Sequence, residues 1–241
     1  IDIDRASINK IVPVDLGIIG DCAHVLEQIV EAWGNRKRRD LSEWKARILG
    51  WKARDCLAYP ERGSDQIMPQ KSITTEVGQH QMWAAQYFHF MEPNRWLTSG
   101  GLGTMGYGLP AAIGAQLGNP DSLVIDIAGE ASIQMNIQEL GTASQYRLPV
   151  KIFILNNEYM GMVRQWQELT YESRYSNSYS DSLPDFVKLA EAYGWKGIRI
   201  EDESQLDAGI EAMLAHDGPV MVDCQVAKEA NCFPMIPSGA A

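Results

Sequence analysis

A chain of 241 residues with 45% hydrophobic residues is long enough to bury a sizeable core, as one large domain or as one domain with part of another. Charged residues make up 22%, which argues against wholesale disorder. Lys plus Arg number 21 against 31 Asp plus Glu, a net −10 that excludes the basic face of a nucleic-acid binder, and no apolar run approaches the ~18–20 residues of a membrane span.

In chain order, Ile1-Asp2-Ile3-Asp4 reads as the end of a strand. Residues 22–33 predict a helix with Val25, Ile29 and Val30 on one face. Residues 40–58 predict a second helix, capped by Asp40 or Ser42. Pro60, Gly63 and Pro69 then mark a loop and a domain boundary, so the expected division is 1–58 and 59–241. Beyond it come a helix at 79–90, a short strand at 95–98, a glycine-rich turn and a helix to about 117. A buried strand at 123–127, a helix at 132–146 and a buried strand at 150–155 follow. The rest reads as a helix at 184–193, a strand at 197–200, a helix at 203–215 and a strand at 219–226. This alternation predicts an α/β fold, a mostly parallel sheet flanked by helices, with ligands at the carboxyl ends of its strands.

Cys22, Cys56, Cys224 and Cys232 include no Cys-x-x-Cys pair, which argues against zinc and against a disulfide framework. They are expected to be reduced and mostly buried, in an intracellular, cytoplasmic chain. No signal or transit segment is visible. The opening on Ile1 and the stop at Ser238-Gly239-Ala240-Ala241 read as cuts through a longer polypeptide.

The strongest chemical signal is Gly129-Glu130 followed by Asn156-Asn157. Each pair ends a predicted strand, and one helix lies between them. A right-handed crossover would put both strand ends on one edge, roughly 5 Å apart if the strands are neighbours. A carboxylate and an amide oxygen would then converge, as a hard divalent cation such as Mg²⁺ requires. That cation would reverse the local sign for a diphosphate in an acidic chain. Ala131 and Ser132 open the next helix, whose N–H groups suit phosphate. The plainer alternative is an acid favouring a helix dipole plus a turn-forming Asn-Asn.

Gly-acid-x25-Asn-Asn resembles the thiamine diphosphate signature. Val77-Gly-Gln-His-Gln-Met-Trp83, the run Thr98 to Pro110, Gln134 to Leu140 and Gly161-Met-Val-Arg-Gln-Trp166 resemble the acetohydroxyacid synthase (acetolactate synthase) catalytic subunit over essentially the whole chain. The resemblance implies a pyrophosphate-type, thiamine diphosphate-binding domain at 59–241, preceded at 1–58 by the end of a flavin-type middle domain. It implies Glu130, Asn157 and the Tyr159 carbonyl as metal ligands, with Glu130 standing where the family carries Asp. Val77, Gln79, His80, Gly129, Ala131, Ser132, Met160 and Gly161 would meet the diphosphate end of the cofactor. Gly103 would hold the aminopyrimidine through its carbonyl, and Met105 would wedge the cofactor into its bent form. Met162, Val163 and Trp166 would line the substrate channel. Asp2, Ile3, Gly100 and Gly101 would approach an FAD held mostly by parts outside this chain.

The implied reaction condenses pyruvate with pyruvate or 2-ketobutyrate, with loss of CO₂, in branched-chain amino acid biosynthesis. The implied assembly is a homodimer or higher, with a possible regulatory subunit. The family's pyrimidine-facing Glu comes from an amino-terminal domain of the neighbouring subunit, and no stretch here resembles that domain. The isolated chain is therefore expected not to turn over.

Three rivals stay open. Gly101-Leu-Gly103-Thr-Met-Gly106, with Asp126 farther on, fits a dinucleotide fingerprint and a dehydrogenase. A non-catalytic module could keep the fold for pairing alone. A different thiamine carboligase or decarboxylase would share the metal motif.

Overall fold

The computed structural model describes residues 1–37, 39–53, 71–90 and 92–235. The expected helix end at 54–58, the loop at Pro60, Gly63 and Pro69, Cys56 and the last residues 236–241 lie outside the described residues. The chain divides into two compact units, Ile1–Ala58 and Tyr59–Ala241.

In the amino-terminal unit, Asp2 forms a lone parallel bridge with Ile19 rather than a strand end. Helix α1 (Cys22–Trp33) starts where Asp21 accepts the His24 N–H and stops at Gly34, whose φ of 53° ends the helical path. Of its predicted apolar face Val25 is buried, whereas Ile29 and Val30 are exposed. Helix α2 (Ser42–Lys52) has Leu41 at its cap position, and Asp40 reaches past it to accept the Ser42 N–H.

The first described element of the carboxy-terminal unit is strand β1 (Lys71–Thr75), which no apolar pattern announces. Helix α3 (Gln79–Tyr87) and strand β2 (Trp96–Thr98) follow, then α4 (Gly108–Gly118) and β3 (Leu123–Gly129). The helix expected at 132–146 is broken. It starts early as one turn, α5 (Glu130–Ile133), tightens through a 3₁₀ stretch at Gln134–Asn136, and resumes as α6 (Glu139–Gln145). Side-chain amides cause the break: Gln134 donates to the Glu130 carbonyl, and Asn136 donates across to Gly106. Strand β4 (Lys151–Asn156), α7 (Gly161–Thr170), α8 (Phe186–Ala192), β5 (Lys196–Ile200), α9 (Leu206–Leu214) and β6 (Val220–Gln225) complete the unit. The helix expected at 203–215 is a 3₁₀ turn leading into α9.

The six strands form one sheet in the order β2-β1-β3-β4-β6-β5, all parallel. Alternation splits its side chains between two cores. Ile152, Ile154 and Met221 join Leu109, Leu140 and Phe186 on one face. Ile73, Phe153, Val220 and Val222 join Met213 on the other. The chain leaves β1 toward β2 and returns on its far side at β3, so the order reverses between β1 and β3. In an open parallel sheet that crevice, at the carboxyl ends, is where ligands bind.

Among the described residues, Cys22 is free and exposed while Cys224 and Cys232 are free and buried. No helix among them is long and apolar enough to cross a membrane.

Candidate functional site

Beyond the ends of β1, β3 and β4 lies a cleft of about 540 Å³, partly open to solvent. Three segments converge on it because their strands are adjacent and parallel. Gly129 pairs with Leu155, so Glu130 and Asn157 leave neighbouring strand ends. Val77, Gln79, His80, Met105, Gly129, Glu130, Ala131, Ser132, Asn157, Tyr159, Met160, Gly161, Met162 and Val163 all line the cleft, joined by Gly78, Trp83 and Leu155. Gly100, Gly101, Gly103 and Trp166 are not among its lining residues. Trp166 sits one turn beyond Met162 on α7, partly exposed. Asp2 and Ile3 belong to the amino-terminal unit.

Glu130 is 1% exposed, and its Oε1 is buried without a hydrogen-bond partner. Burial pushes its carboxyl up to about 7, against the pull of its own and Asn157's backbone N–H; the charges of Asp223 and Glu158 add to the rise. A buried oxygen without a partner calls for an explanation, and a cation bound in the cleft would supply one. Among the described residues no three His, Cys, Asp or Glu side chains gather into a chelating cluster. An oxygen set of carboxylate, amide and backbone carbonyl is the kind Mg²⁺ accepts, because water and phosphate complete its shell.

The two asparagines diverge. Asn156 turns away to donate to Asp223 at 2.9 Å, which ties β4 to β6. Asn157 donates to Gln79 Oε1 at 3.4 Å, and its Oδ1 accepts the Tyr159 N–H at 3.2 Å. The loop that follows is held by the segment near Ser178: Met160 donates to the Ser178 carbonyl and Ser180 donates to that of Glu158, each at 2.8 Å. Glu158 adopts φ 59° and binds the Tyr179 hydroxyl and Lys228.

Ser132 Oγ donates to the Val77 carbonyl at 3.1 Å, joining the β1 and β3 ends. Gln79, expected as a diphosphate contact, gives its amide hydrogens to Gln165 at 2.8 Å and to the Ala230 carbonyl at 3.0 Å. His80 is buried, and burial pulls its imidazole down to about 4, so it is neutral. It fits because position 129 is glycine: a Cβ there would lie 2.7 Å from His80 Nδ1.

The turn between β2 and α4 needs glycine for backbone reasons. Gly103 has φ 67° and Gly106 φ 76°, both in the left-handed region. These requirements account for the second and third glycines of the Gly-x-Gly-x-x-Gly spacing, Gly103 and Gly106, without a dinucleotide. Asp126 lies inside β3, fully buried and accepting the Thr74 hydroxyl at 3.0 Å, not at a strand end where it could meet a ribose. The dehydrogenase alternative fails on that placement.

Sequence reasoning missed two buried residues beside the site. Glu76 follows β1, is fully buried, and accepts the Gly108 N–H at 2.8 Å. Its Oε1 faces His80 Nε2 at 3.8 Å. The β-branched run Ile73-Thr74-Thr75 was the available signal for the strand that places it. Gln165, on α7, is 1% exposed and bonded to Gln79, to the Cys232 backbone and to Met235 Sδ; its periodicity carries no warning.

Comparison with known proteins fits this geometry. Residues 76–224 match the thiamine pyrophosphate enzyme family, C-terminal TPP binding domain. The acetolactate synthase large subunit of Cyanidium caldarium is 46% identical over 256 aligned residues, covering 99% of this chain and 43% of its own length. The acetolactate synthase isozyme 3 large subunit of Escherichia coli (strain K12) is 46% identical, covering 98% and 44%. The large subunit of Haemophilus influenzae is 44% identical, covering 100% and 45%. The chain thus spans less than half the length of these curated relatives. With the family match covering more than half of the chain and every residue that lines the cleft, the chain belongs to the thiamine pyrophosphate enzymes, through their C-terminal TPP-binding domain.

Proposed function

We propose that this chain is the diphosphate- and Mg²⁺-binding part of an acetolactate synthase, which condenses pyruvate with pyruvate or 2-ketobutyrate and releases CO₂. Glu130 carries the reading: a buried carboxylate oxygen without a partner, lining with Asn157 an otherwise largely apolar cleft. Glu130, Asn157 and the Tyr159 carbonyl would hold the cation. The cation would offset the repulsion between a diphosphate and a chain of net charge −10.

Phosphate oxygens would meet the first-turn N–H groups of α7, which no side chain caps. Ser132 Oγ, which donates to Val77, keeps lone pairs only and acts by fixing the Val77 end of the cleft. Met105, from the glycine turn, would press on the middle of the cofactor, and Gly103 would offer its carbonyl to the aminopyrimidine. Met162 and Val163 continue the cleft outward toward Trp166, where the second ketoacid would be sorted by size. Bound thiamine diphosphate supplies the carbon nucleophile and the electron sink; the chain supplies pose and electrostatics.

FAD has less support. Nothing lies within 4 Å of where a Gly101 Cβ would sit, so the chain itself does not require glycine there and its backbone is open to an outside group. We assign the amino-terminal unit to the end of a flavin-type middle domain, with Asp2 and Ile3 as its candidate flavin contacts. The working form would be cytoplasmic, with two or more copies of a longer catalytic chain, and would take a regulatory subunit.

Calorimetry with thiamine diphosphate and Mg²⁺ tests this directly. The chain should bind only with the metal present, and Glu130→Ala should weaken binding by about a hundredfold, as loss of a direct ligand exceeds the ~10–100-fold typical of outer partners. Equal binding by both chains removes Glu130 from the site. The purified chain alone should form no acetolactate; turnover by it would mean that the site is complete within these 241 residues. In a full-length enzyme carrying this segment, Trp166→Leu should lower the preference for 2-ketobutyrate, measured by competing the two ketoacids.

A further inference from the structure

A carboxamide offers a cation either an oxygen, which binds it, or an NH₂, which repels it. Asn157 must therefore be held the right way round, and the structure contains a device that does so. It begins at backbone groups that cannot exchange roles. Cys232 N–H donates to Gln165 Oε1 at 2.9 Å, and Gln165 Nε2 donates back to the Cys232 carbonyl at 2.9 Å. Rotating the Gln165 amide by half a turn would set donor against donor and acceptor against acceptor.

With Gln165 Oε1 fixed, Gln79 must offer it hydrogen, at 2.8 Å. The second Gln79 hydrogen goes to the Ala230 carbonyl at 3.0 Å, another group that cannot change role. Gln79 Oε1 is thereby turned the other way, over Gly161, where an added Cβ would lie 2.0 Å from it and 2.9 Å from Asn157 Nδ2. Asn157 meets that oxygen with its NH₂ at 3.4 Å. Its own oxygen is left on the opposite side, where it accepts only the Tyr159 N–H and keeps a second lone pair.

We propose that Gln165 is a positioning residue for the cofactor's cation, acting through Gln79 to aim the Asn157 oxygen at it. The inference rests on the reading of Asn157 as a cation ligand. Gln79 then serves the diphosphate indirectly, through the metal ligand, since neither of its amide hydrogens is free for a phosphate oxygen. Outer partners of a metal ligand typically contribute 10–100-fold in affinity. Their importance is greatest where the ligand could otherwise present the wrong atom.

The test is calorimetric titration of Mg²⁺ at fixed thiamine diphosphate, with thermal unfolding followed on every variant. Gln165→Met keeps the volume and removes the relay. It should raise the Mg²⁺ needed for half-saturation by about tenfold or more. Gln79→Met breaks the same relay one link later and should do the same, and the double variant should be no worse than either single one. Should Gln165→Met fail to fold, Gln79→Met carries the test.

Asn157→Asp is the decisive background. A carboxylate has oxygen on both sides and needs no aiming, so there Gln165→Met should change the Mg²⁺ requirement by less than about threefold. A merely structural role for Gln165 would move both backgrounds equally, and that result overturns the proposal. So does a requirement unchanged by Gln165→Met while Asn157→Ala raises it strongly. If Asn157→Ala itself leaves the requirement untouched, Asn157 is no ligand, and the proposed function falls together with this inference.

Discussion

Gly108→Ala should destabilise the chain by about 4 kcal/mol, a large part of what holds a domain folded. The missing side chain is where two buried carboxylates approach. A Cβ on Gly108 would lie 1.9 Å from Glu76 Oε2 and 2.2 Å from Asp126 Oδ1. Neither can swing into water, since both residues are fully buried. Glu76 is also held by the N–H of Gly108 at 2.8 Å, so moving it away leaves a buried donor unpaired. Overpacking of a core typically costs about 1–3 kcal/mol, and leaving a buried donor unpaired about 1–3. Gly114, on the same helix, is the internal control. An added Cβ there meets nothing within 4 Å, so Gly114→Ala should be neutral or stabilising by up to about 1 kcal/mol. Urea unfolding of the two variants checks both. If Gly108→Ala unfolds within about 1 kcal/mol of the parent chain, the two carboxylates are not rigidly held.

Strands β3 and β4 were legible in the sequence because they follow ordinary hydrophobic rules, whereas helix α1 forms where its apolar period predicts although Ile29 and Val30 of that face are exposed. Val124, Ile152 and Ile154 sit in continuous apolar runs, as strands buried on both faces do. From those runs the meeting of Glu130 and Asn157 follows by topology alone. What escaped is polar and buried. Strand β1 hides Ser72, Thr74 and Thr75 in the core, where hydroxyls replace apolar contacts: Thr74 donates to Asp126 and Thr75 to the Ile127 carbonyl. No hydrophobic period reveals such a strand, so Glu76 at its end was missed as well. Helix α7 misleads in the same way. Its apolar residues Val163 and Trp166 are largely exposed, while Arg164 and Gln165 are buried. The break in the helix after Ile133 depends on a bond from Asn136 to Gly106, which no local pattern encodes. The likeness to a known family supplied roles for cleft residues. It did not supply the groups that hold them.

Those hidden groups give the chain a pH signature, and Asp126→Asn should remove a large part of it. Burial pushes the Asp126 carboxyl up to about 7, although the Thr74 hydroxyl donates to it. Burial first, and then the neighbouring Asp126 charge, push Glu76 upward too. The Asp126 carboxyl ionises near the ordinary value of 3.8 once the chain unfolds, but keeps its proton to about pH 7 in the fold. Between those limits the folded state binds a proton that the unfolded state has lost, so stability must fall as pH rises. Its contribution is whole below about pH 4 and gone above about pH 7, a loss on the order of a few kcal/mol at ~1.4 per unit. Asparagine keeps an oxygen for Thr74, offers its NH₂ to Glu76, and cannot ionise. Asp126→Asn should therefore match the parent near pH 4 and exceed it by roughly 2–4 kcal/mol at pH 8 in urea unfolding. Carboxylates elsewhere, such as Asp185 and Asp202, are held below their usual range and act in the opposite direction in both chains, so the difference between the two curves isolates position 126. Parallel curves from pH 4 to 8, or a variant weaker than the parent at pH 8, would show that Asp126 is already ionised in the fold and stabilised by something other than a retained proton.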